Sequence, residues 1–520
     1  MLLGQLITYK KHKMKNIKYL LLSAVLIGFT ACNDEEDFED LLDNPTSEVI
    51  LPELTTGSAD FSNYVAVGAS FTAGFTDGGL FIASQENSFP NILANKFANI
   101  GSSTFTQPLM NDNFGGLILG GNPVINPMTG QRELTERLVF GGAGPVPLQS
   151  LNPAAMSTTD FALNNPTGPF NNLGIPGAKS FHLLAPGYGN LLNFPTAANP
   201  YAIRVTGNTP NASILDLAVA QNPTFFTLSE VGGNDVLGYA TTGGDGTNPI
   251  TPTSTFDASL NALVTGLTAN GAKGVIGNLP NITSLSHFTT VPYNPVPLDA
   301  TNAAALNQGY ALYNGGIQQA LAALNGTGLF TAEEAAARTI TFAAGSNNAM
   351  VIIDETLTDL GAINSAFAGI PKYRQATAED LFVLPLSALI PQGYGTQIPL
   401  EDKWVLIPQE QDEIATATQA YNTSISAIAN SNGLALVDLN SILEQASTTG
   451  ITFDAYNMNT NLVSGGLVSL DGIHLTARGY ALMANSFFKA IDATYGTNFE
   501  ASGNLAKAGD YPTNYSPALQ

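Results

Sequence analysis

Four short stretches of this 520-residue chain carry the residue types of nucleophilic catalysis. The first is Val67-Gly68-Ala69-Ser70-Phe71-Thr72-Ala73-Gly74, in which a serine among small residues follows an apolar run. A serine hydroxyl is a poor nucleophile until a base takes its proton. The base on offer is His474, in Asp471-Gly472-Ile473-His474-Leu475-Thr476. An Asp and a His three residues apart can turn toward each other, and the carboxylate then orients the imidazole and stabilises its charged form. His474 would act first as general base and then as general acid. Of the four histidines, His12 lies in the leading segment, and His182 and His287 have no acid three residues before them. The third stretch is Gly232-Gly233-Asn234-Asp235, whose asparagine amide can donate to a developing oxyanion. The fourth, Asn172-Leu173-Gly174-Ile175-Pro176-Gly177-Ala178, has glycines that let backbone N–H groups approach a ligand closely. Singly, each stretch also has a plainer reading, as an N-cap serine, a Gly-Asn turn or a capping aspartate. The nucleophile-elbow pattern Gly-x-Ser-x-Gly is absent, because Thr72 stands at its second glycine.

These residues work together only if the fold gathers them on one edge. Five apolar runs read as buried strands: 64–67, 170–173, 224–231, 274–276 and 434–439. Helical patterns cover 88–99, 256–270, 301–324, 410–430 and 476–495. Strands alternating with helices predict an α/β fold with a parallel sheet. Right-handed crossovers place every strand's C-terminal end on the same edge, where ligands bind in open sheets. Each candidate stretch before residue 300 directly follows one of these strands, and the Asp-x-x-His stretch directly precedes the last helix.

In that order, Gly-x-Ser, a loop glycine, Gly-x-Asn-Asp and Asp-x-x-His resemble the four blocks of the SGNH (GDSL-like) hydrolases. Gly277-Asn278-Leu279-Pro280 is also similar to the loop after the fourth strand in GDSL lipases. The resemblance implies a flavodoxin-like three-layer α/β/α fold of strand order 2-1-3-4-5 with long loop insertions. It implies that Ser70 attacks an ester carbonyl, with His474 as base and Asp471 as its partner. It implies an oxyanion hole of the Ser70 N–H, the Gly177 N–H and the Asn234 side chain. The chain departs from the family in placing Ala69 where an Asp is usual and in the 107-residue gap from Ser70 to Gly177, which leaves Gly174 as the other candidate.

The leading segment reads as an export signal. Five lysines precede the apolar run Tyr19–Phe29, which at 11 residues is too short to span a bilayer as a helix of ~20. Met14 would be the natural start, with residues 1–13 as an upstream extension, and Met1 is the other candidate. Thr30-Ala31-Cys32 resembles a bacterial lipobox, which implies acylation of Cys32, the chain's one cysteine, and a lipid anchor to a membrane. The run NDEEDFEDLLD that follows, with seven acidic residues, resembles the acidic export signal of lipoproteins displayed at the outer cell surface. Without residues 1–31 the chain has 13 basic against 41 acidic residues, a net −28. That balance excludes nucleic acid as a partner and favours neutral or apolar substrates.

The expected organisation is a signal with lipobox over 1–31, an acidic tether over 32–55, a hydrolase domain over 56–500 and a C-terminal tail over 501–520. Insertions fall near 100–168 and 288–405. Gly115–Gly121 lacks the Lys-Ser/Thr of a phosphate-binding loop, and no metal-ligand clustering is visible, so no cofactor or metal is expected. The expected function is an exported serine esterase or lipase acting through an acyl-enzyme on apolar acyl esters. A carbohydrate acetylesterase and a non-catalytic surface binding lipoprotein on the same scaffold are the alternatives. The apolar insert runs 114–119 and 381–386 would offer a wall for an acyl chain or simply pack the inserts.

Overall fold

Each of the five apolar runs becomes a strand in one parallel sheet: β1 Tyr64–Gly68, β2 Asn172–Gly174, β3 Phe225–Ser229, β4 Lys273–Gly277 and β5 Ala435–Val437. From edge to edge the strands lie β2, β1, β3, β4, β5, and every neighbouring pair is parallel. All residues of β1 and β3 are buried, so both faces of the sheet are covered. This is the computed structural model of the chain; it describes residues 50–102 and 104–520, and residues 53–520 form one compact unit. Residues 1–31, where an export signal is expected, and Cys32 and the acidic run after it lie outside the described residues. Among the described residues no helix is long and apolar enough to cross a membrane.

Strand ends are set by local chemistry. The third run was expected to reach Val231, but β3 stops at Ser229 because Glu230 adopts φ +58°, which a ladder cannot continue. The last run was expected to reach Leu439, but Asp438 caps the following helix by accepting from the Ser441 N–H at 3.1 Å.

The helices around the sheet include α1 Ser70–Ala73, α2 Phe89–Phe97, α3 Gly233–Thr241, α4 Thr253–Thr268, α6 Pro408–Asn432, α7 Leu439–Thr448 and α8 Ala477–Tyr495, while α5 Ala300–Leu324 packs within the insertion 288–405. α4 packs against α6, while α8 packs against α2 and β5. α8 starts where Thr476 accepts from the Gly479 N–H at 3.0 Å and stops at Gly496, φ +70°. An aromatic cluster pins the β1–β3 end of the core: Phe61 and Phe97 stack at 4.2 Å between centroids, with Tyr64, Phe225 and Phe499 around them.

The insertion 288–405 carries cores of its own, whereas Met110, Leu117, Val124 and Phe161 of 100–168 cluster with Ala73, Leu80, Ala198 and Ile203 outside it. In 288–405, Met350, Ile352, Phe382 and Leu400 are fully buried in one cluster, and Ile317, Leu324, Phe330 and Leu360 form another. Arg374 bridges Asp354 at 2.5 Å and Asp380 at 2.7 Å, clamping the antiparallel pair Val351–Ile353 and Tyr373–Gln375 to the next turn. In 100–168, Met110, Leu117 and Phe161 are buried beneath short antiparallel ribbons. Residues 501–520 are packed onto the domain: Ala506 and Ala508 join the main core, Tyr515 meets Phe81 edge-on, and Arg137 donates to the Ser516 carbonyl.

Candidate active site

The register of the sheet brings three of the stretches level. Gly68 of β1 lies opposite Gly174 of β2 on one side and Ser229 of β3 on the other. Ser70 therefore emerges between the loop that carries Gly177 and the turn that carries Glu230 and Asn234. The crowding explains two glycines. A Cβ on Gly68 would lie 2.3 Å from the Ser229 carbonyl oxygen, and one on Gly174 would lie 2.2 Å from the Ala73 nitrogen.

Asp471 and His474 arrive on a different device. Residues 467–476 form a tight antiparallel excursion, with the Ser469 N–H donating to the His474 carbonyl and the Thr476 N–H to the Leu467 carbonyl. Asp471 sits in its turn and accepts five hydrogen bonds. Its Oδ1 takes the Ser469 hydroxyl (3.0 Å) and the N–H groups of Ile473 and His474 (both 2.9 Å). Its Oδ2 takes the Gly78 N–H and His474 Nδ1, each at 2.8 Å. Burial pushes this carboxyl up, but the His474 charge and these donors outweigh it and hold it well below the usual carboxylate range. An ionised carboxylate only accepts, so His474 keeps its proton on Nδ1 and presents Nε2 as an acceptor. The imidazole is walled by Phe75 and Phe71, with ring centroids 4.7 and 5.7 Å away.

The structure does not join Ser70 to His474 by a hydrogen bond. Ser70 Oγ instead donates to Glu230 Oε1 at 3.3 Å. The other Glu230 oxygen accepts the N–H groups of Phe71 (2.6 Å) and Thr72 (3.1 Å), capping α1 from outside its own chain segment. Burial pushes the Glu230 carboxyl up to about 7, against the opposing pull of the Thr72 N–H, the His474 charge, the Phe71 N–H and the Ser70 hydroxyl.

The candidate oxyanion donors are placed as follows. Among the described residues the N–H groups of Ser70 and Gly177 have no hydrogen-bond partner, whereas the Gly174 N–H donates to Asn172 Oδ1 at 3.0 Å. Of the two glycines weighed, Gly177 is thus the one with a free donor. Asn234 Nδ2 spends one hydrogen on the Ala178 carbonyl at 2.9 Å, and Asp235 accepts from both the N–H and the hydroxyl of Ser180, which fastens the Gly177 loop to α3. Ser70, Glu230 and Asn234 share a cavity of about 90 Å³ whose remaining lining is almost wholly apolar, including Leu279, Ile282, Ile442, Leu443 and Met483. Neither insert run expected as a wall, 114–119 or 381–386, contributes to it. Leu117, Phe382 and Leu386 are fully buried elsewhere, Leu117 against Leu80 and Ile203 among others and the other two within the insertion 288–405.

Three groups around the site escape a reading of the sequence. Glu230 gives no local signal, since a lone acid after a strand is ordinary. Asp77 is buried beside Asp471 and accepts the Leu470 N–H at 3.0 Å, and burial foremost pushes it up to about 7. His287, set aside for want of an acid three residues earlier, lies against the Asp471 turn, with Nδ1 3.3 Å from the Asp471 carbonyl and its N–H donating to the Gly472 carbonyl. Away from this site, and unforeseen in the sequence, the carboxylates of Glu355, Asp402 and Glu410 come within 4.8 Å of one another. Burial, then mutual repulsion, pushes Asp402 up to about 7 and Glu410 up to about 8. A separate cleft of about 1230 Å³ lies in the insertion between Thr290 and Pro399 and shares no residue with the Ser70 cavity.

In comparisons with protein families, curated sequences and solved structures, the chain matches none.

Proposed function

We propose that the chain is a serine esterase of the SGNH kind, hydrolysing apolar acyl esters through an acyl-enzyme. The observation that carries this reading is the Asp471–His474 pair at 2.8 Å, set beside Phe71 and hence beside Ser70 at the strand-end edge. A flavodoxin-like three-layer fold accords with the strand sequence across the sheet and with its two covered faces.

In the proposed reaction the Ser70 hydroxyl leaves Glu230 for His474 Nε2, a shift that substrate entry would drive, since catalytic hydrogen bonds often close only in the complex. Ser70 Oγ attacks the ester carbonyl as His474 takes the proton, and Asp471 holds the resulting imidazolium. The oxyanion is received by the N–H groups of Ser70 and Gly177 and the second amide hydrogen of Asn234. His474 returns the proton to the leaving alcohol, and a water then repeats the sequence on the acyl-enzyme. The apolar cavity beside Ser70 suits the acyl group. At about 90 Å³ it is smaller than the roughly 150 Å³ that accepts benzene, so short acyl chains are favoured over long ones.

Turnover of p-nitrophenyl acetate, butyrate and palmitate by the full chain, beside Ser70→Ala and His474→Ala, tests this reading. The variants are expected to lose about three or more orders of magnitude, with acetate or butyrate preferred by the wild type. A Ser70→Ala variant as active as the wild type would sink it. The rival, a binding lipoprotein on the same scaffold, draws on the Ser70–Glu230 contact, which leaves the nucleophile unengaged by its base. Failure of a fluorophosphonate to label Ser70 would favour it. An acylated sugar as substrate is distinguished by acetate release from an acetylated oligosaccharide.

Export, acylation of Cys32 and display at the outer membrane or cell surface are further proposals, resting on the lysine-rich start, the lipobox-like Thr30-Ala31-Cys32 and the acidic run. Incorporation of an alkyne fatty acid in expressing bacteria, lost in Cys32→Ser, tests the anchor.

A further inference from the structure

We infer that Glu230 is a positioning residue of this site, holding the first turn of α1 and the Ser70 hydroxyl in place from outside the Ser-His-Asp set. The inference rests on the esterase reading. It goes beyond that reading because no motif of the family's four blocks calls for an acid at this position.

One carboxylate meets three donors from consecutive residues: the Ser70 hydroxyl at 3.3 Å, the Phe71 N–H at 2.6 Å and the Thr72 N–H at 3.1 Å. α1 is four residues long and its preceding residue, Ala69, has no side-chain cap to offer. A helix this short has only two successive i→i−4 bonds, from the Ala73 N–H to the Ala69 carbonyl and from the Gly74 N–H to the Ser70 carbonyl, and neither serves the N–H groups of its first turn, so its start depends on the external acceptor. The Glu230 backbone is held just as firmly. It sits at φ +58°, a conformation costly for a non-glycine residue, and its carbonyl accepts the Gly233 N–H at 2.9 Å in the turn that leads to Asn234. Glu230 thereby ties the nucleophile's turn to the turn of a candidate oxyanion donor. A one-residue bridge between two blocks is where a small displacement would be felt most in the rate.

Accepting from all three donors takes an ionised carboxylate. Protonated on Oε1, Glu230 would still accept both N–H groups through Oε2 but would donate to Ser70 Oγ instead of accepting from it. The groups whose charge bears on Glu230 are His474, with Asp471 behind it, and Tyr480 of α8. Since the Glu230 carboxyl lies at about 7, the hold on Ser70 is complete above that pH and loosens below it.

The rate of covalent labelling by a fluorophosphonate, in which Ser70 Oγ bonds to phosphorus, fluoride departs and His474 takes the proton, is measured from pH 5 to 9. The full chain is compared with Glu230→Gln and Glu230→Ala. Glu230→Ala is expected to label about 100-fold more slowly at pH 8, the scale of a misplaced nucleophile, and Glu230→Gln, which keeps an acceptor for the two N–H groups, to recover at least about tenfold of that loss. Below neutrality the wild-type rate should depend on one more ionisation than the Glu230→Gln rate, the one near 7 that Glu230 supplies. Equal rates for Glu230→Ala and wild type, or profiles of equal steepness for Glu230→Gln and wild type, overturn the inference.

If the wild type fails to label at any pH, the esterase reading falls, and selective 15N-Phe spectra decide the clamp on their own. The Phe71 amide should shift with a midpoint near neutrality in the wild type and stay flat in Glu230→Gln. An amide that does not titrate in the wild type overturns the clamp.

Discussion

Replacing Asp77 by Asn should stabilise the protein, and increasingly so as pH rises. Asp77 is 1 % exposed, accepts the Leu470 N–H, and sits at φ +53°, a conformation that Asn tolerates well. Burial pushes its carboxyl from 3.8 up to about 7. The folded protein therefore keeps a proton on Asp77 through a range in which the unfolded chain has released it. Stability falls wherever the folded state binds more protons, so this group costs stability progressively from about pH 4 to about pH 7. Roughly three units of displacement at 1.36 kcal/mol each set a ceiling of about 4 kcal/mol above pH 7. The neutral amide escapes that cost while keeping an acceptor for Leu470. Urea unfolding of wild type and Asp77→Asn at pH 4 and pH 8 should give a gain under about 1 kcal/mol at the lower pH and several times that at the higher. A gain that does not change with pH would mean that the carboxyl is ionised throughout. Its burial would then be offset by neighbours such as Arg137, whose charge already pulls it the other way.

Asp471→Asn should lower kcat about 10⁴-fold with KM little changed, because the amide can no longer fix the imidazole tautomer; a loss under about tenfold in steady-state assays would remove Asp471 from the mechanism. Gly174→Ala should abolish fluorophosphonate labelling before it unfolds the domain, since its Cβ would overlap the Ala73 backbone in the nucleophile's own turn. Full labelling with an unchanged circular dichroism spectrum would refute that. Arg374→Ala should destabilise by about 3–5 kcal/mol, leaving Asp354 and Asp380 buried without an opposing charge, and thermal unfolding should show the change in the insertion. Leu443→Ala should lengthen the preferred acyl chain by widening the Ser70 cavity, read as a rise in the palmitate-to-butyrate ratio.

Much of the frame was legible because it rests on local pattern. Buried parallel strands are near-continuous apolar runs, and all five were found, as was α8, whose start is announced by Thr476. The Asp471–His474 pair was legible because three residues of spacing confine the two side chains to one turn. What stayed hidden is non-local. Gly78 lies 393 positions before Asp471, which accepts its N–H, and Glu230 comes 160 positions after Ser70. Only the register of β1 with β3 brings Ser70 and Glu230 together. The sequence neighbours of His287 give no sign of its place beside Asp471, which is set by packing. The insert ribbons are two to four residues long, too short for a period to declare itself. Their apolar residues turned inward on themselves, so the cavity wall had to come from the sheet's own loops and from α7 and α8.

The separateness of those insert cores has a consequence for how such a chain can change over generations. The hydrophobic residues of 288–405 are satisfied mostly among themselves, with the pair Leu381–Phe382 and Val405–Leu406 as a seam to the rest. A module closed in this way can be exchanged, lengthened or given a new surface without repacking the sheet, and the residues around Ser70 and His474 would not register the difference. Substitutions in the cleft of the insertion can therefore accumulate without disturbing the strand-end edge.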